Sequence, residues 1–248
     1  MISDSMAEVL RSLRQGEVAD PARACARALG VEGVVLSLLA GPDPTTEPVW
    51  CHPELGARFE ELQFTLGEGP GPDAVRTGSP VVEPDLDRVR PERWPALLPA
   101  AHDLGVHGVC CFPLGIGAVR VGVLTLLCDG DRRLSGQQYT DAGALTAALT
   151  GAFLNGGPSG GNGNARGFDM SLDPPAGLRR AVVHQATGMI SVQLGVAMAE
   201  ALLRLRAHAY GSERPLGEIA ADVVARRLRF EDDVSGPQSP DSGKGGKG

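Results

Sequence analysis

The chain has 248 residues and a formal net charge of −7; 42 % of its residues are apolar but only 4 % aromatic, and 34 are glycine and 19 proline. That is enough for one large domain or two smaller ones, with Ala, Leu and Val doing most of the core filling. Five cysteines, odd in number and without C-x-x-C spacing, argue against a disulfide framework or a zinc site and fit reduced thiols in the cytoplasm. Neither a metal nor another cofactor is expected.

In chain order, residues 1–30 carry apolar positions at helical spacing (Met6, Val9, Leu10, Leu13), and Asp20-Pro21 forms an N-cap and N1 pair that opens a second helix ending at Gly30. Residues 31–40 read as a buried strand stopped by Gly41-Pro42, and residues 49–51 begin another after a turn. Residues 54–64 have helical spacing through Leu55, Phe59 and Leu62. A Gly- and Pro-rich loop then leads to a single helical turn around residues 74–76 and a short strand at Val81 and Val82. Residues 95–105 form a further helix. The apolar runs VHGVCCFPL and VRVGVLTLLC flank GIGA, the pattern of two antiparallel strands joined by a turn. Pro113, Gly115, Gly117, Arg120 and Gly122 interrupt this stretch, so it suits a hairpin and not a membrane span. The N-terminus MISDSMAEVL lacks the basic and apolar regions of a signal peptide. Ser135 caps a closing helix that runs to about Leu154, with Tyr139, Leu145, Leu149 and Phe153 inward.

This order of elements, with GEGPG and FPLGIGAVRVGVLTL, resembles a GAF domain over residues 5–155. The resemblance implies an antiparallel sheet flanked by helices that senses a small ligand. Trp50, Phe64, Trp94, His107 and Cys110 are the candidates for lining its cavity. No N-K-F-D signature is present, so a cyclic nucleotide is not implied. The adjacent Cys110 and Cys111 point to opposite faces of their strand. Read as core they are small apolar residues; read as redox thiols they need a cation, which His107 or Arg120 would supply.

Residues 156–177 read as a flexible linker on composition, and residues 231–248 as a disordered tail. Between them, residues 178–230 carry three apolar stripes at spacings of three and four. These run through Leu178, Val182, Ala186, Met189 and Ile190; through Met198, Ala201, Leu202, Leu205 and Ala209; and through Leu216, Ile219, Ala220, Val223 and Val224. Gly195 divides the first two helices, and Pro215 opens the third after residues 211–214. Three short amphipathic helices bury their stripes only against one another, so the fold class is α+β followed by an all-α three-helix bundle. Charge is divided the same way: residues 176–230 hold eight arginines against four carboxylates, whereas residues 1–155 hold 12 arginines against 20. A polyanion is repelled by the front and attracted by the back.

HQATGMI, LGVAMAEALLRLRAHA and RPLGEIAADVV resemble the ANTAR domain, the RNA-binding module of transcription antitermination regulators. Gln185, Ala186, Gly188, Gly195, Glu200, Ala201, Leu205, Arg206, Ala209, Leu216, Ile219 and Ala220 fit its pattern; Thr187 stands where the family has Lys, and His184 where it often has Glu. The resemblance implies a cytoplasmic, non-enzymatic regulator that binds RNA stem-loops, with a homodimer expected by analogy. The candidate RNA contacts are Arg179, Arg180, Gln185, Thr187, Arg204, Arg206, His208 and Arg214, with Tyr210 beside His208 able to stack on a base. Two other functions fit the same residues. One is a thiol enzyme acting like the GAF-type free methionine sulfoxide reductases through Cys51, Cys110, Cys111 or Cys128. The other is a protein-interaction module without RNA.

Overall fold

The computed structural model describes residues 1–40, 45–130, 133–155 and 175–230. The predicted tail, all of the predicted linker before residue 175 and the turn residues 41–44 lie outside them. The chain divides into two compact units, Met1–Ala181 and Val182–Gly248.

In the first unit, α1 (Asp4–Gln15) is capped by the Ser3 hydroxyl, which accepts from the Met6 N–H. Asp20 does the same for α2 (Pro21–Leu29) through the Arg23 N–H, with Pro21 in the first turn as the sequence predicts. The strands β1 (Gly33–Leu39), β2 (Thr46–His52), β3 (Val81–Glu83), β4 (Gly108–Ile116) and β5 (Val119–Cys128) form one sheet in the order β2-β1-β5-β4-β3. Every neighbouring pair is antiparallel. The helices α3 (Glu54–Leu66), α4 (Pro70–Thr77), α5 (Leu97–Leu104) and α6 (Gly136–Asn155) complete the unit. The α+β class with an antiparallel sheet is therefore as the sequence predicts.

Helices cover both faces of this sheet, so its strands read as near-continuous apolar runs and not as alternating ones. The two-residue period still sorts the side chains. Val34, Leu36, Cys110, Phe112, Leu114, Leu124, Leu126 and Cys128 pack with α1, α2 and α6 residues such as Met6, Leu10, Leu29 and Leu145. Val109, Cys111, Val123 and Leu127 pack on the other face with Phe59, Val75, Trp94 and Leu97. Cys110 and Cys111 thus face opposite cores.

In α6 the predicted inward Tyr139 is 45 % exposed, its ring edge-on to Phe112, and two further elements differ. The single turn expected at residues 74–76 is two turns long, because Pro70 fixes φ at the start and Gly78 ends the helix in the left-handed region. In α3 the buried stripe is Gly56, Phe59, Glu60, Gln63 and Phe64, whereas the predicted Leu55 and Leu62 are only half-buried. A carboxylate and an amide therefore occupy core positions.

In the second unit α7 (Pro175–Leu194) crosses the division after Ala181 and is followed by α8 (Met198–Gly211) and α9 (Leu216–Val224). Gly195, at φ +65°, ends α7 where a residue with a Cβ is strained. The buried residues of α8 are Ala201, Leu202, Leu205 and Ala209, and those of α9 are Leu216, Ile219, Ala220 and Val223, in keeping with the predicted stripes. In α7 the stripe is rotated: Val183, Ala186, Thr187, Ile190 and Leu194 are buried, and Val182 is not. Among the described residues no single helix is long and apolar enough to cross a membrane. Residues 180–194 and α8 pass such a test only as a pair, bent by 107°.

Candidate nucleic-acid interface and a buried polar cluster

The arginines of the second unit are spent unevenly. On α8, Arg204 Nη2 donates to Glu200 Oε1 at 2.7 Å, an i, i+4 pair along the helix face. Arg214 Nη2 reaches Asp222 Oδ2 at 2.9 Å and Glu218 Oε2 at 3.5 Å, joining the α8–α9 turn to α9. Arg227 closes on the same Asp222 at 2.6 Å. Hydrogen bonds from Arg227 and then Arg214 hold the Asp222 carboxyl below the usual range. These pairs are solvent-exposed and each contributes little to stability, but they neutralise the cations that make them. Arg226 and Arg229 are exposed and make no ion pair with a described carboxylate.

The remaining predicted contacts fall into three groups. Gln185 and His208 are exposed, and Arg206 is half-buried. The His208 ring meets Phe230 edge-on with centroids 5.3 Å apart, so one side of the imidazole is already covered. Tyr210 is 74 % exposed and Leu203, seven positions earlier on α8, 63 %. Thr187 corrects the sequence reading. It is 2 % exposed, and its hydroxyl donates to the Val183 carbonyl at 2.7 Å, so it belongs to the bundle core and not to a surface. Arg180 is a second correction. It groups with the first unit and is 3 % exposed. There it donates from Nε to Glu61 Oε2 at 3.2 Å, from Nη1 to the Thr46 carbonyl and from Nη2 to the Glu60 carbonyl at 3.2 Å. Its guanidinium stacks 4.1 Å from the Phe64 ring centroid. A cation held this way is not presented to a polyanion. The side chain of Arg179 lies outside the described residues.

The five residues predicted to line a sensor cavity do not converge. Trp50 and Cys110 sit in the core on one side of the sheet and Trp94 in the core on the other. Trp94 Nε1 donates to Asp73 Oδ2 at 3.2 Å, and Arg93 stacks on its ring at 4.2 Å. Phe64 carries Arg180, and His107 is exposed. Their spacing reported aromatic and polar types but not which face of the sheet each would take. The first unit does contain a cavity of about 1390 Å³, walled by the α1–α2 connection, β2, α3 and α5. Of the five, only Trp50 lines it; Val49, Leu62, Leu66 and Leu104 supply apolar wall, and Glu17, Asp20, Glu54 and Asp103 carboxylates.

The sequence reading missed a buried polar cluster on the α3 side of the sheet. Glu60 Oε1 accepts from Thr125 Oγ1 at 2.8 Å and from Gln63 Nε2 at 3.1 Å, and Oε2 accepts from Ser37 Oγ at 3.2 Å. Cys111 donates to Thr125 at 3.6 Å, and Gln63 Oε1 takes the Gly71 N–H at 2.8 Å. The close approach explains two glycines of GEGPG: a Cβ on Gly69 would lie 2.5 Å from Gln63 Oε1 and one on Gly71 3.1 Å from it, whereas Gly67 ends α3 at φ +71°. Burial raises the Glu60 carboxyl, while its hydrogen bond from Thr125 and the charge of Arg180 pull it back. The signal was present as Glu60 and Gln63 at i, i+3, with Ser37 and Thr125 as lone hydroxyls in apolar strands.

The cysteines are free thiols. Burial pushes Cys25 up to about 12 and raises Cys111. The Cys110 and Cys128 sulfurs share a hydrogen bond across 3.9 Å, a bond that raises Cys110 and lowers Cys128. Besides Cys128 and burial, the groups acting on Cys110 are Cys111 and Glu83, neither of them a cation. Arg120 instead donates to the Gly117 carbonyl in the β4–β5 turn.

Fold and charge together define a two-part protein: a helix-covered antiparallel sheet, then a small helical unit whose ion pairs leave part of its arginine content unspent. Residues 178–224, which span the three helices of that unit almost completely, match the family model of the ANTAR domain. Over the first unit the chain is similar to the GAF domain of a phosphoenolpyruvate-protein phosphotransferase from Acinetobacter. The identity is 16 %, the match covers 62 % of this chain and 96 % of that one, and the TM-score is 0.45. The corresponding GAF domain from Coxiella burnetii gives 14 % identity, 62 % and 96 % coverage and a TM-score of 0.44. Free methionine-R-sulfoxide reductase from Neisseria meningitidis gives 21 %, 60 %, 90 % and 0.38 in the same order. A comparison with curated proteins returns no match.

Proposed function

We propose that this chain is a signal-responsive transcription regulator whose C-terminal helices bind a stem-loop in nascent RNA and whose N-terminal α+β unit is the sensor. The observation that carries the reading is the ANTAR match, which runs through α7, α8 and α9 without interruption. By likeness to that family, the bound stem-loop is withheld from a competing terminator and polymerase reads on. Gln185, Arg204, Arg206, His208 and Arg214, with Arg179, are the contacts proposed. Phosphate attraction supplies most of the affinity, so binding weakens as salt rises. The Glu200 and Asp222 pairs hold Arg204 and Arg214 in fixed positions, from which each can exchange a carboxylate for a phosphate oxygen. The exposed Tyr210 offers a face for an unpaired base, the usual way single-stranded loops are read.

The sensor ligand is proposed as a small molecule entering the cavity beside Trp50. The regulator is proposed to work as a homodimer in the cytoplasm and without a catalytic step. The test is selection of hairpin RNAs with randomised loops by the full chain, followed by transcription through a terminator that overlaps the selected hairpin. Enrichment of particular loops and a rise in read-through are expected. Enrichment without a change in read-through removes antitermination and keeps RNA binding; no enrichment removes both.

A further inference from the structure

We propose that the segment following α9, residues 225–230, is a built phosphate-binding hook that extends the RNA interface past the ANTAR-matched residues, with Arg226 and Arg229 as its contacts. The proposal rests on the RNA reading above and adds a site that lies outside residues 178–224. It begins from what internal pairing leaves over. Among the described residues of the second unit, Glu200 is occupied by Arg204, and Glu218 and Asp222 by Arg214, with Arg227 also on Asp222. Arg226 and Arg229 are exposed, and none of these carboxylates holds them. Two exposed arginines that no described carboxylate pairs with therefore lie in one short segment.

That segment is held in a defined shape. The Arg226 N–H donates to the Val223 carbonyl at 2.9 Å, the Arg227 N–H to the Asp222 carbonyl at 2.8 Å and the Leu228 N–H to the same oxygen at 3.2 Å. This is the hydrogen-bond pattern that closes a helix with a left-handed residue, and Arg226 takes that position at φ +60°. Glycine is the usual occupant, so an arginine there holds a strained backbone to place a charge. Arg227 grips Asp222 through Nε at 2.9 Å. Further along, the Phe230 N–H donates to Gln193 Oε1 at 3.1 Å, and its ring meets His208 edge-on. Both ends of the hook are thus tied to the bundle, one to α9 and the other to the end of α7 and to α8. Arg226 and Arg229 project from it on the same unit that carries His208. The backbone that carries the two arginines is ordered before a phosphodiester arrives, and each guanidinium can engage it with two donors.

The test measures binding of the full chain to a short hairpin RNA with a randomised loop across a salt series. In sequence the hook is followed by Glu231, Asp232 and Asp233, which the full chain used in the test retains. Arg226→Gly keeps the left-handed conformation and removes the charge, and Arg229→Gln alters an exposed side chain, so the double variant folds; thermal unfolding checks this. Its slope of log affinity against log salt is expected to be smaller by about one unit per arginine, for every loop sequence alike. Phe230→Ala keeps both charges and the backbone bond to Gln193 but removes the ring that meets His208, and is expected to weaken binding with the slope retained. If the wild-type chain binds and the double variant has the same slope and affinity, the hook is wrong and the RNA reading stands. If the wild-type chain binds no hairpin at all, both fall.

Discussion

At the scale of single residues, the first unit is marked by a carboxyl placed where a leucine would ordinarily sit. Glu60 is buried against Ser37, Thr125 and Gln63, with every hydrogen bond donated to it, an arrangement that satisfies the carboxylate form. Burial nevertheless raises its carboxyl above the usual value, the Thr125 bond and the Arg180 charge only partly offsetting this. The sign follows from linkage. A group raised on folding binds its proton more tightly in the native state, so its contribution is fully present below the unfolded value, about pH 4.3, and is lost as pH rises through the folded one. Glu60→Gln removes this titration. Urea unfolding of the full chain across pH 4 to 8 is expected to show a shallower loss of stability with rising pH in the variant. Equal slopes in both proteins would mean that Glu60 is not the group responsible.

At the scale of elements, the bundle depends on its narrow apolar stripes. Leu205 is fully buried on α8 between Ala201 and Ala209, and α9 presents Ile219, Ala220 and Val223. Leu205→Ala leaves a cavity that short helices close only in part and is expected to cost about 2–5 kcal/mol, a large share of a small unit's stability. A two-step urea transition in which only the later helices lose their signal early is the expected readout; an unchanged transition contradicts the packing. The α8 and α9 stripes were legible because every third or fourth residue is apolar and nothing polar interrupts them. The α7 stripe was read one position out: Thr187 hides its hydroxyl on the Val183 carbonyl and packs as though it were apolar. For the same reason it was mistaken for an RNA contact. Periodicity reports which positions recur, not whether a hydroxyl is satisfied by its own helix. The sheet was legible in its strands and its turn, since β-branched runs and GIGA are local signals. Which face a residue takes was legible only pairwise, as for Cys110 and Cys111. The convergence of Ser37, Glu60 and Thr125 across 88 positions depends on strand order, which no local pattern encodes.

At the scale of the whole molecule, the contrast in charge between front and back survives, but its distribution is finer than a count of arginines suggests. Arg180 is consumed within the first unit, and Arg204, Arg214 and Arg227 are paired within the second. On the hook proposed above, a polyanion meets Arg226 and Arg229 together with whatever pairs it opens. Sequence counting registered these two residues in the total and assigned them no site, because their freedom is a property of the neighbours that others have taken. The most direct measurement of the account is the affinity of the full chain for a hairpin RNA and for a duplex DNA of equal length, at the same salt and over a salt series. Tighter binding to the hairpin, weakening steeply as salt rises, is the predicted result. Equal affinity for the two, or binding of neither, would contradict it.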